Sequence, residues 1–136
     1  MRLWPLAILD QLPRQQLLGQ HRECCALRGK GWGKKHATVD YVFMHPYGWL
    51  WQYHYWVLSE MTSRGFGPNP LWFDPAWRGN SIGYDIRDFT TNVVSPYPKF
   101  IYPEHNSAYL DECIENLAAK GVRIDRERAL NRMRAA

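Results

Sequence analysis

The chain has 136 residues, is 46% hydrophobic and 15% aromatic, and carries a formal charge of +4 from 17 Lys/Arg against 13 Asp/Glu. That length holds one domain, residues 1–136, and its seven Trp and eight Tyr exclude a disordered chain, in which such residues are scarce. No window reaches the ~18 uninterrupted apolar residues of a spanning helix, and Pro5 and Asp10 break the apolar run at the start, so neither a membrane anchor nor a signal peptide is expected.

Three cysteines are an odd number, and the neighbours Cys24 and Cys25 cannot easily bridge each other, which points to reduced thiols in a cytosolic protein. The charge is uneven. Residues 1–40 hold seven Lys/Arg against three acids, residues 41–120 five against eight, and residues 121–136 five against two. Basic ends around an acidic middle suggest termini that meet on one face aimed at a polyanion, nucleic acid before membrane; solvated surface charge is the alternative.

Proline and glycine punctuate the helical patterns. Pro13 opens a first helix that runs through LLGQHRECCALR to Gly29, where a positive φ is expected to end it. Pro46 opens a second that reaches Arg64 and stops at Gly65. Its stripe of Leu50, Tyr53, His54, Val57, Leu58 and Met61 has the helical period. Because Trp49, Trp51, Tyr55 and Trp56 cover its other sides, this helix should be buried on most of them.

A third helix, from about Asn106 to Lys120, carries Leu110, Cys113, Ile114 and Leu117 and stops at Gly121. The six prolines between the second and third helices imply a long irregular connection rather than a sheet. The tail after Asp125 has a thin apolar pattern and could form a short basic helix. The expected architecture is all-α: a compact single domain of three main helices with long loops.

On the first helix, Leu17, Leu18, His21, Cys24 and Cys25 form an apolar side. Gln15 and Gln16 stand two turns before Arg22 and Glu23, with Gly19 between them. Long polar side chains separated by small ones leave a shallow groove in which Arg22 could hold a phosphate; an ordinary solvated face is the alternative. A carboxylate such as Glu23 beside an amine can relay protons while an imine forms and collapses. The best amine is the α-amine of the chain, which titrates near ~7.7–8.0 where lysine does so near ~10.4. Arg2 and Arg22 nearby would lower it further, and Glu23 would oppose them.

MRLW at the start, LPRQQLLGQHREC, GKKHATVDYVF and SEMTSRGFGPN together resemble the pyrimidine dimer DNA glycosylases. The resemblance covers most of the chain and is strongest in the first helix. It implies a compact all-α fold and a DNA repair glycosylase with associated AP lyase activity, acting on damaged bases such as pyrimidine dimers in double-stranded DNA. In that family an N-terminal amine forms a Schiff base with the damaged nucleotide, and a glutamate assists the β-elimination. The resemblance makes Glu23 the catalytic carboxylate, Arg22 a phosphate and sugar contact, and Gln15 a neighbour of the lesion. Extrusion of a base from the duplex goes with such chemistry.

Three departures stand out. Residue 2 is Arg, whose bulk normally blocks removal of the initiator, so the nucleophile would be the α-amine of Met1, or that of Arg2 after other trimming. The second basic residue expected one turn past the Arg-Glu pair is Ala26. The aromatic tail of the family is replaced by Arg123, Arg126, Arg128, Arg132 and Arg134.

The stretch RGKGWGKKH places Lys30, Lys34 and Lys35 around Trp32. Such a loop can grip phosphates and stack on a base, or it can cap the helix while Trp32 packs on the core. His21, Cys24, Cys25 and His36 do not have the spacing of a metal site, since adjacent helical cysteines point ~100° apart; no metal or other cofactor is expected. The reading is a monomeric cytosolic DNA glycosylase/AP lyase. A non-catalytic helical nucleic-acid-binding module of the same fold is the alternative.

Overall fold

The computed structural model describes residues 2–34, 38–85 and 101–134. Met1, Lys35, His36 and the stretch 86–100 of the long connection lie outside them. Among the described residues four α-helices form: α1 (Arg14–Arg28), α2 (Tyr47–Ser63), α3 (Ser107–Ala119) and α4 (Arg126–Arg134). Three short 3-10 turns accompany them, Leu6–Gln11, Asp40–Met44 and Pro70–Phe73. Among the described residues the only sheet-like pairing is the isolated bridge between Trp77 and Tyr84. The fold is all-α, as the helical periods imply, and no described helix is long and apolar enough to cross a membrane.

The six residues of the predicted α2 stripe are all buried, and Leu50, Tyr53, Val57 and Met61 form the core with Leu17, Cys24 and Leu27 of α1 and Leu110, Cys113 and Leu117 of α3. The turn Leu6–Gln11 adds Leu6, Ala7, Ile8 and Leu9. Its backbone could not be read from period, because a 3-10 turn of six residues shows neither the 3.6 nor the 2.0 repeat. Arg64 closes α2 against it, donating from Nη1 to Leu12 O (2.7 Å) and from Nη2 to Leu9 O (2.9 Å), with Glu60 on its Nε at 2.9 Å.

Helix ends follow the expected punctuation with one correction. Gly65 and Gly121 take φ of +83° and +82° after α2 and α3, the left-handed conformation that glycine accepts without strain. Gly29 ends α1 at φ −89° instead. Its glycine serves close packing, since a Cβ there would lie 3.1 Å from Arg78 O and 3.2 Å from Cys25 O. The tail forms the short helix the sequence suggested. Asp125 accepts from Arg128 N at 3.1 Å as its N-cap.

The two ends of the chain do meet. Gln11 exchanges two hydrogen bonds with the backbone of Asp125, at 2.7 and 3.1 Å. Asp10 pairs with Arg128 (2.7 Å) and Arg132 (3.3 Å), and Arg126 pairs with Asp111 at 2.6 Å. Much of the basic tail is thus spent on holding α4 to the N-terminal turn and to α3.

Candidate active site

The extended segment Arg2–Trp4 is held by three helices at once. Gln20 of α1, 2% exposed, donates from Nε2 to Arg2 O (2.8 Å) and accepts on Oε1 from Trp4 N (2.9 Å). The hydroxyl of Tyr53, on α2, lies 2.7 Å from the same Oε1 and 2.5 Å from Trp4 O, and shares its one hydrogen between them. From α3, Tyr109 donates to Leu3 O at 2.9 Å, and Glu112 pairs with the Arg2 guanidinium at 3.0 Å. A peptide segment whose polar groups are bonded to rigid helices loses its freedom to fray.

Glu23 stands one turn beyond Gln20 on the same side of α1, so their Cβ atoms are neighbours. It is buried, 8% exposed, whereas Arg22 beside it is exposed. The polar face foreseen for α1 is therefore split: Glu23 is buried, and Gln15 and Arg22 stay at the surface. Arg14, Gln15, Leu18 and Arg22 line an open cleft of about 390 Å³. Leu18, placed by period on the apolar side, is half-buried at this cleft.

Lys30 and Lys34 are exposed, while Trp32 is half-buried and meets Phe43 and Tyr47 edge-on at ring-centre distances of 5.1 and 5.2 Å. Of the two roles open to Trp32, packing on the core is the one its ring occupies. The glycines of that loop let it lie against α1: a Cβ on Gly31 would come within 2.6 Å of Ala26 O.

His21, Cys25 and His54 bring donor atoms within 4.8 Å of one another, close enough to suggest a metal. Their hydrogen bonds assign another role. Arg28, fully buried, uses all five N–H groups: Nε to Tyr47 OH (3.0 Å), Nη1 to His54 Nδ1 (2.8 Å) and Trp72 O (2.7 Å), Nη2 to Asp74 O (2.9 Å) and Trp77 O (3.0 Å). A guanidinium only donates, so His54 Nδ1 accepts, Nε2 carries the proton, and Nε2–H donates to His21 Nδ1 at 2.9 Å. Binding a cation through His54 Nε2 would move that proton to Nδ1, against the Arg28 donor. Cys25 Sγ lies 3.8 Å from both nitrogens of His21, so it sits off the lone-pair direction of either. The group is an ordered hydrogen-bond chain running from Arg28 to His21.

Burial holds both imidazoles below the usual histidine range, His54 far below it, with the Arg28 charge acting the same way; burial also pushes the Cys25 thiol up to about 12. A neutral thiol is a poor nucleophile. Away from this chain, burial lowers His105 to about 4. These three histidines are neutral in the fold and gain protons when it opens. Stability is therefore complete above the unfolded value of about 6.5 and declines as the pH falls toward the lower folded values. Urea midpoints at pH 7.5 and 5.0 should show the loss at the lower pH; equal midpoints would contradict the buried neutral state.

The sequence reading missed Gln20, Tyr109 and Arg28 as organising residues. For Gln20 a signal existed, since it falls in the apolar stripe of Leu17, Cys24 and Leu27, where a polar side chain must find partners.

The family model described as pyrimidine dimer DNA glycosylase matches residues 1–74, just over half of the chain. That span includes the N-terminal segment, α1 with Gln20, Arg22 and Glu23, and all of α2. No curated protein and no solved structure matches. With its N-terminal segment, both central helices and the buried glutamate inside the matched span, the chain belongs to the pyrimidine dimer DNA glycosylase family.

Proposed function

We propose that the chain excises damaged bases, a pyrimidine dimer or a related lesion, from duplex DNA and then cuts the strand as an AP lyase. The α-amine of Met1, or of Arg2 after trimming, attacks C1′ of the damaged nucleotide. The bond from C1′ to the base breaks, the base leaves with the amine's proton, and the sugar ring opens to an imine. Glu23 takes a proton from C2′, the bond from C3′ to oxygen breaks, and the 3′ phosphate departs. Water then releases the sugar remnant and restores the amine. Arg22, Gln15, Lys30, Lys34 and Lys35 supply contacts to the phosphates and the lesion. We read the active unit as one monomeric domain working in the cytosol.

The observation that carries this reading is the clamp on Arg2–Trp4, centred on Gln20 one turn before the buried Glu23. An amine that must attack a specific carbon gains rate from being held. The test is borohydride trapping on a duplex with one pyrimidine dimer and on an abasic duplex, with mass mapping of the attached peptide. An adduct on the N-terminal peptide is expected, and its mass tells Met1 from Arg2. Salt-sensitive binding with no adduct on either DNA would make the chain a non-catalytic binding module.

A further inference from the structure

Arg14 opens α1 and lies two turns from the Arg22-Glu23 pair. Its guanidinium sits 5.5 Å from the centre of the Phe66 ring. Phe66 is itself fixed, because its N–H bonds to Met61 O at 2.9 Å through the turn made by Gly65. Stacking thus directs the Arg14 side chain without using its donors, and among the described residues neither Arg14 nor Arg22 has a hydrogen-bond or ion-pair partner. Both line the open cleft, with Gln15 and Leu18. At Gly19 the helix surface is open: an added Cβ would find only the Arg22 guanidinium, at 3.8 Å.

The end of the helix at this cleft is unusual in a second way. Pro13 occupies the N-cap position and supplies no side-chain cap, and the first turn holds no acid. The first amide N–H groups have no capping side chain, and a cation sits where the helix dipole disfavours one. A bound anion would relieve both. Arg14 and Arg22 are eight residues apart, about 12 Å along the axis, the rise of some three to four nucleotides of one DNA strand at ~3.4 Å each. Leu18 lies midway, where the apolar face of a sugar would come.

We infer that this cleft seats a phosphodiester backbone, with one phosphate at Arg14 and the α1 N-terminus and a second at Arg22, so that Arg14 fixes the register of the strand on α1. The inference rests on DNA being the substrate and adds a contact remote from the amine and Glu23.

The test is the salt dependence of binding to an undamaged 25-base-pair duplex, read by fluorescence anisotropy, for wild type, Arg14→Ala and Arg14→Gln. Loss of one phosphate contact reduces the slope of log K against log[KCl] by about 0.9, and both variants should show this. A wild-type slope in both overturns the proposal. Trapping of an abasic duplex by the wild type separates the two readings: an adduct with unchanged Arg14 slopes sinks only the Arg14 contact. A reduced slope without any adduct keeps the cleft and removes the imine chemistry. A wild-type protein with no affinity for DNA overturns both.

Discussion

Glu23→Gln is expected to reduce strand cleavage at an abasic site by about 10²- to 10⁴-fold, the usual contribution of a positioned acid or base, while affinity for the same duplex stays near that of the wild type. The amide has the size and shape of the carboxylate, so the buried position beside Gln20 is filled as before. It cannot take the proton from C2′, and elimination stalls. Affinity is set by phosphates and cations, none of which the substitution touches. The measurement is single-turnover cleavage of an end-labelled duplex, paired with anisotropy on the uncut DNA. Cleavage at the wild-type rate would take Glu23 out of the mechanism.

Arg28→Met is expected to lower unfolding free energy by about 3–5 kcal/mol, the range for removing one member of a buried charged network. None of its five acceptors is a carboxylate; three are backbone carbonyls of the Trp72–Trp77 loop, one is Tyr47 and one is His54. Methionine fills much of the volume but takes the Arg28 donor from His54 Nδ1, Trp72 O and Trp77 O, while Asp74 O keeps its bond from Trp77 N at 3.1 Å; a buried group left without a donor costs about 1–3 kcal/mol. Arg28→Lys should fall between, because an ammonium has three donors at one point and cannot span five acceptors. Urea denaturation reads the difference. A wild-type midpoint in Arg28→Met would show that the loop holds its place by other means.

Helical period was enough to find α1, α2 and α3 within a few residues, because each buries one apolar stripe and ends at a Pro or Gly boundary. It was enough, too, for the buried side of α2. The residues of the candidate site divide by how their partners are encoded. Arg22, Glu23 and Gln15 were legible as a polar group at helical spacing in a stretch resembling a family. Glu23 was expected on the polar face and is buried, since period alone does not say where an N-terminal segment will lie across a helix. Arg28 gave no signal at all: its acceptors are mostly carbonyls far along the chain, and backbone acceptors leave no mark in the identity of the residues that bear them. Trp32, flanked by glycines, belongs to no periodic run, so only the fold could turn its ring toward Phe43 and Tyr47.

The anchors of Arg2–Trp4 are separated from it by 16 residues at Gln20, 49 at Tyr53 and 106 at Tyr109. A ribosome adding ~5–20 residues per second delivers Tyr109 about 5 to 20 seconds after the segment it will hold. Through that interval the segment has, at most, part of its support. The Arg2–Trp4 segment thus gains its full set of anchors only late in synthesis, and a nascent or truncated chain lacking α3 holds it by Gln20 and Tyr53 alone.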